Sequence, residues 1–336
     1  MEAYLYDKLK NSRVRCRTCC HFCVLEPGHR GLCGVRENQD GRLMVLNYDK
    51  IIAHSVDPIE KKPIFHLKPG SRSYSIATMG CNFTCRFCQN ADIAQISREP
   101  GTRIMGRPMT PEQIVDNALA AGCQSIAYTY TEPSVFFELA LDTARLAKDK
   151  GLFNIFVTNG YMSPDLIHQV APYLDAANVD LKAFNDGFYQ TFCNARLTPV
   201  MQTLKQLKKA GVLVEVTTLL IPGLNDDPGE LTALTRFIAE ELGCDTPWHV
   251  SRFHPAYQMT DRGPTPADTV EAAWNIGKKA GLLYVYVGNL PGSSYQHTQC
   301  PHCDATVVER RGYDILTHMK ENGICPGCGA LISGIY

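Results

Sequence analysis

Between Ser73 and about Asn289, short apolar runs of strand length alternate with helix signals, and this rhythm narrows the choice of fold more than any other feature. SYSIATM, SIAYTY, FNIFVT, AANVDL, VLVEVTTLLI, WHVSRF and LLYVYVG are rich in β-branched and aromatic residues. The helices between them have legible starts and stops. Thr110-Pro111-Glu112-Gln113 offers an N-cap, a proline for the first turn and a capping-box glutamine. Ser163-Pro164 and Thr198-Pro199 are expected to repeat the cap-plus-proline device, and Gly122, Gly151 and Gly211 to end helices. Alternation of this kind means right-handed βαβ units and a parallel sheet, so the expected fold is α/β, a partial or full (β/α) barrel. The barrel is expected over 71–297. Residues 1–70 form a cysteine-rich region with a hairpin, turning at Asp40-Gly41, and then a packed connector, DPIEKKPIFHLKPG. Residues 298–336 read as an appended metal-stabilised module.

The composition is that of an ordinary globular protein, with 45% hydrophobic and 20% charged residues. A formal net charge of -1 supplies no field for gripping nucleic acid. No apolar run is long enough to span a membrane, and MEAYLYDKLKNSRVRC lacks the apolar core of a signal peptide. The chain is therefore expected in the cytoplasm. There, cysteine in tight spacings binds metal more often than it forms disulfides. The chain has 15 cysteines: five fall within 16–33, three within 81–88 and four within 300–328. Cys123, Cys193 and Cys244 stand apart and are expected to behave as small buried hydrophobes.

Cys81, Cys85 and Cys88 form a C-x3-C-x2-C triplet directly after a strand, where a barrel's active site belongs. Three thiolates on one loop can hold three irons of a [4Fe-4S] cluster and leave the fourth without a protein ligand, whereas an electron carrier closes its cluster with four cysteines. The open iron can chelate S-adenosyl-L-methionine (SAM). One electron then cleaves the sulfonium and releases a 5′-deoxyadenosyl radical, which removes hydrogen from an unactivated C–H bond. Zinc sites favour paired C-x2-C elements instead.

GCNFTCRFCQN resembles the cluster loop of the radical SAM superfamily, in the branch of the pyruvate formate-lyase activating enzyme. Together with DPIEKKP and the cysteine groups on either side, nearly the whole chain resembles the AmmeMemoRadiSam system radical SAM enzymes. The resemblance gives Phe87 the place of an adenine-contacting aromatic residue. Tyr130 and Thr131 stand where relatives carry two glycines before Glu132, at a place that meets the methionyl amino group of the cofactor. Thr158 and Asn159, in a Val-Thr-Asn-Gly segment, match residues that touch the cofactor. Asp180 and Lys182 match an Asp-Leu-Lys element near cofactor and substrate, and His254 matches a histidine that contacts the cofactor. The loop Leu220–Asp226, also shared, reads as structural.

Cys300-x2-Cys303 and Cys325-x2-Cys328 have the spacing of a zinc ribbon, with an auxiliary four-cysteine cluster as the alternative. Few basic residues accompany them beyond Arg310, Arg311 and Lys320, so a structural or docking role is expected over nucleic-acid binding. Cys16, Cys19, Cys23 and Cys33 suit zinc or an auxiliary iron–sulfur cluster. Cys20 is the cysteine least expected to ligate, and His21 and His29 are possible substitutes.

The function expected is radical SAM chemistry on an unidentified small-molecule or protein substrate, with a glycyl-radical activase as the alternative. An electron donor such as flavodoxin or ferredoxin is expected, and the resemblance implies Amme-type and Memo-type protein partners. A non-catalytic zinc-rich scaffold is the rival from another class, and it leaves the cysteine triplet unexplained.

Overall fold

The computed structural model describes residues 1–99, 101–290 and 292–336. All seven apolar runs form strands of one sheet: β2 (Arg72–Thr78), β3 (Ser125–Tyr128), β4 (Phe153–Thr158), β5 (Ala176–Asp180), β6 (Leu213–Leu220), β7 (Trp248–Arg252) and β8 (Val285–Gly288). They pair in parallel with each sequential neighbour. An antiparallel strand, β1 (Lys50–Pro58), flanks β2, and the two-residue segment Arg107–Pro108 flanks β1. The order is linear, with β8 at one edge and Arg107–Pro108 at the other, so the sheet is an open, partial barrel.

Helices α1 (Pro111–Ala120), α2 (Phe137–Asp149), α3 (Pro164–Val170), α4 (Leu197–Lys209), α5 (Pro228–Phe237) and α6 (Ala267–Lys279) fill the crossovers. Thr110 caps α1 through a complete capping box with Gln113, and Ser163 caps α3 through Leu166 N. Thr198 does not cap α4. That helix starts at Leu197, because the Asp186 carboxylate, 2.8 Å away, accepts from the Leu197 N–H and does the capping from a distance. On the helix side of the sheet, Ile126, Tyr128, Phe156, Val179, Val216 and Val250 join the main core.

Residues of the opposite parity face inward, and the connector fills that concave side. Ile59, Ile64 and Leu67 are completely buried against Ala127, Ile155 and Ala176. Burying such side chains contributes about 1.5–3 kcal/mol each. Polar inward groups meet the connector's backbone, which has no ladder of its own to satisfy it. Asn178 donates to Pro63 O at 2.7 Å, and one Glu215 oxygen accepts from Phe65 N and His66 N, both at 2.8 Å. The other Glu215 oxygen meets His249 Nε2 at 2.6 Å, and His66 Nε2 lies 2.7 Å from the Tyr286 hydroxyl.

The C-terminal module is a three-stranded antiparallel sheet of Thr298–Gln299, Thr306–Arg311 and Asp314–Thr317. It clamps the connector from outside. Arg310, fully buried, donates to Phe65 O at 2.9 Å with its guanidinium 4.0 Å from the Phe65 ring centre. The chain's last residues add Ile335 N to His66 O at 2.7 Å. At the N-terminus, Arg36–Gln39 and Arg42–Val45 form the expected hairpin, with positive φ at Asp40 and Gly41 as a tight two-residue turn requires.

Candidate active site at the carboxyl ends of the strands

The loop carrying Cys81, Cys85 and Cys88 leaves β2 through Gly80, whose φ of +106° and close approach to Val35 Cγ1 (2.7 Å from an added Cβ) exclude a side chain. Segment 192–193 supports it from beneath, with Thr84 N donating to Cys193 O and Arg86 N to Phe192 O, both at 3.0 Å. Arg98 ties it from the side, donating to Cys81 O and, at 2.7 Å, to Phe83 O. Cys85 is buried, and Cys81 and Cys88 are partly so. Burial, then the Glu132 charge, holds the Cys81 thiol above its ordinary value. The neighbouring Cys193 thiol, then burial, does the same to Cys85. Thiolates there would need a compensating cation beside them, such as a bound metal ion.

Cys193 is buried, as expected, whereas Cys244 is exposed; Cys193 does not stand alone, because the fold brings it against Cys85. Nothing local in the sequence signals this, because the contact joins residues 108 positions apart across a π-helical turn, Tyr189–Cys193.

Around the loop, the ends of β3 and β4 form one hydrogen-bonded unit. Glu132 is buried, and its carboxylate accepts from Ser134 N and Oγ, from Thr158 Oγ1 at 2.8 Å and from Asn159 N at 2.8 Å. Burial pushes its carboxyl up, against the pull of these donors. Asn159 then reaches the cluster loop, donating to Asn82 Oδ1 at 2.7 Å and lying 3.8 Å from Cys81 Sγ. Glu132 thus holds Thr158 and Asn159 in place, and Asn159 holds the first cysteine's turn.

Thr131 donates to Thr78 O at 2.8 Å. Tyr130 has φ +63°, the left-handed region that a glycine would occupy freely. Its carbonyl accepts from Asn90 at 2.8 Å, its hydroxyl donates to Asp57, and Lys62 Nζ lies 4.4 Å from its ring centre. These contacts hold at Tyr130 a backbone shape that a glycine would give without strain. Asp57 also accepts from Lys62 (2.6 Å), Lys61 (2.8 Å) and Ser75 (2.8 Å). Burial alone would raise its carboxyl, but these donors hold it far below the usual carboxylate range.

Lys182 Nζ bonds Asp180 at 2.7 Å, with the lysine side chain 13% exposed and the aspartate 36%. Burial opposes the lysine's charge, yet Asp180 and the thiols of Cys85 and Cys193 hold its pKa well above the ordinary value. The pair is thus neither fully buried nor a loose rim pair, and it points a cation at the cluster loop. Phe87 is buried against Phe188, ring centres 5.9 Å apart, with Lys182 Nζ 5.8 Å from its own. His254 lies exposed in the loop after β7, so the fold places it at the rim rather than inside. An open cleft of about 780 Å³ lies outside the cluster loop, lined by Thr84, Arg86, Asp92, Arg98, Tyr257 and Gln258 among others.

In the C-terminal module, Cys300, Cys303, Cys325 and Cys328 present sulfurs that all lie within 4.8 Å of one another. Cys300–Cys328 and Cys303–Cys325 are 3.6 and 3.7 Å apart. Four thiolates at about 2.3 Å from one tetrahedral ion stand about 3.8 Å from each other, so this group can hold a single metal ion.

A sequence profile of the Radical SAM superfamily matches residues 75–234. An uncharacterised protein of Methanocaldococcus jannaschii is 43% identical over 333 residues, 98% of this chain and 98% of its own length. A second protein of that organism, provisionally named a glycyl-radical enzyme activating enzyme, is 24% identical over 189 residues, 54% of this chain and 68% of its own. A radical SAM methyltransferase from Sphaerobacter thermophilus superposes with a TM-score of 0.52 at 17% identity, covering 66% of this chain and 67% of that one. At that identity the likeness is one of fold.

Proposed function

The chain belongs to the radical SAM superfamily, and from that premise we propose that Cys81, Cys85 and Cys88 hold the catalytic [4Fe-4S] cluster, with SAM bound across the ends of β3, β4 and β5. Bound there, the cluster and SAM supply a 5′-deoxyadenosyl radical for hydrogen abstraction from the substrate. The observation that carries this is the convergence on one loop of three thiols with the Glu132–Thr158–Asn159 unit, which reaches Asn82 directly.

The roles follow from the contacts. Asn159 and Thr131 offer polar groups beside the loop, and Phe87 an apolar wall for adenine. Glu132 is a positioning residue, because its oxygens are already engaged. Lys182, kept charged by Asp180, balances thiolate charge beside Cys85 and can meet the cofactor's carboxylate. His254 joins the site only if its exposed loop closes inward on binding. The electron spectrum of the reduced protein tests the reading. Electron paramagnetic resonance of dithionite-reduced protein should change its g-values when SAM is added, and an unchanged spectrum would argue against an open iron.

Within the superfamily, the AmmeMemoRadiSam branch is the assignment we favour, with Amme-type and Memo-type proteins as partners and the cytoplasm as the setting. DPIEKKP and the two flanking cysteine groups support it, since in this fold both groups converge on the barrel. A flavodoxin- or ferredoxin-like donor would supply the electron. The substrate is a small molecule or a protein; a glycyl-radical partner is the second reading, favoured by the activating-enzyme relative.

Zinc is the ion we assign to Cys300, Cys303, Cys325 and Cys328, on sulfur spacing. Cys303→Ser should lose one zinc per chain and lower the thermal midpoint, since the module clamps the connector through Arg310 and Ile335. Elemental analysis and a thermal scan check it: unchanged zinc would reassign the ligands, and an unchanged midpoint would deny the clamp.

A further inference from the structure

The N-terminal cysteines converge by local folding. Val14–Cys16 pairs antiparallel with Val24–Leu25, and Cys16 N donates to Cys23 O at 2.9 Å, so Cys16 and Cys23 face each other across a hairpin. Cys19 sits in the turn between them, where Phe22 N donates to Cys19 O at 3.1 Å and Phe22 takes φ +46°. Cys33 comes in from the next loop, and a Cβ on neighbouring Gly31 would lie 3.8 Å from Cys23 Sγ. The Cys16, Cys23 and Cys33 thiols lie near enough to Cys19 to act on it electrostatically, so the four share one neighbourhood.

The other candidate ligands turn away. Cys20 donates its thiol to Met162 O at 3.0 Å, His21 bonds Asn82 O at 2.9 Å, and His29 bonds Pro27 O at 3.2 Å. A buried cation stands beside the four instead. Arg36 is 2% exposed, pairs with Glu138 at 2.6 Å, acts electrostatically on Cys33, and has a buried Nε without a hydrogen-bond partner.

Two features separate this group from the C-terminal one. First, among the described residues, the C-terminal four are the set of three or more candidate ligands whose atoms all lie within 4.8 Å. The N-terminal four are electrostatic neighbours without being drawn to that spacing. One zinc ion gathers four thiolates about 3.8 Å apart. A cubane binds each thiolate to a different iron and so needs them wider apart. Second, the group is joined to the catalytic loop at three places. Arg98 donates to Leu32 O at 2.6 Å while also holding Cys81 O. His21 bonds the carbonyl of Asn82, and Gly80 packs on Cys33 O and Val35.

We propose that Cys16, Cys19, Cys23 and Cys33 bind an iron–sulfur cluster of their own, in contact with the loop of the catalytic cluster. Arg36, although paired with Glu138, keeps a buried Nε without a hydrogen-bond partner beside Cys33, a donor available to the thiolates of a bound cluster.

The full-length chain carrying Cys81→Ala, Cys85→Ala and Cys88→Ala, reconstituted anaerobically with iron and sulfide, isolates the site. It should remain brown and hold about four irons beside the single zinc of the C-terminal module. Two zincs and no sulfide-bearing iron would overturn the proposal. Adding Cys19→Ala and Cys23→Ala should remove that iron; iron that persists would also overturn it. If the triple variant does not fold, the wild-type protein serves. Its reduced spectrum should contain a component indifferent to SAM that disappears in the Cys19→Ala/Cys23→Ala variant. A spectrum in which every component responds to SAM contradicts the proposal. Neither readout depends on SAM cleavage, so failure here and failure of the proposed activity are separate results.

Discussion

Cys85→Ala should abolish release of 5′-deoxyadenosine from SAM, while Cys123→Ala, a change of similar size, should leave it intact. Cys85 is buried at the centre of the loop between Cys193 and Lys182, and an alanine there leaves two thiols for three irons. Cys123 is buried in the core of the same domain, away from the loop, and behaves as a small apolar side chain. The comparison separates loss of ligation from loss of packing. Product quantified by chromatography after anaerobic incubation with dithionite checks it. Residual product from the Cys85 variant would mean that the three cysteines do not hold the cluster that reacts.

The second large effect lies below the site. Asp57→Ala should lower stability by about 3–5 kcal/mol, because it leaves the buried Lys62 ammonium without a counter-charge. It also removes the acceptor for the Tyr130 hydroxyl, and with it a contact that holds the left-handed backbone beside Thr131 and Glu132. Weaker SAM binding should therefore accompany the lost stability. Denaturant unfolding and SAM titration measure the two effects. A stable Asp57→Ala protein would deny that this aspartate is the charge partner holding the connector. Replacing Lys62 by methionine as well should recover part of the stability, since it removes the stranded cation and keeps the volume.

The strands were legible because each is a β-branched or aromatic run bounded by turn residues, a local property. The cap of α1 was legible for the same reason, whereas the start of α4 was not: its cap is Asp186, eleven residues upstream. Spacing, together with its place directly after a strand, singles out the cysteine triplet. What the sequence concealed is where distant segments meet. DPIEKKPIFHLKPG reads as a connector with no regular period, and nothing in it announces that it fills the concave face. That placement depends on Asn178, Glu215 and Tyr286, each on a different strand. Tyr130 stands where relatives carry a glycine. The structure keeps the glycine-like φ and moves the cost into contacts with Asp57 and Lys62. Glu132 illustrates the same limit: its position was readable, but that its oxygens are consumed by Ser134, Thr158 and Asn159 is a tertiary fact.

Anaerobically reconstituted wild-type protein, given dithionite and SAM, should form 5′-deoxyadenosine and methionine in equal amounts even without its substrate, slowly and in proportion to enzyme. Protein with a full complement of iron that forms no 5′-deoxyadenosine under these conditions would contradict the assignment of Cys81, Cys85 and Cys88 to an open, SAM-cleaving cluster.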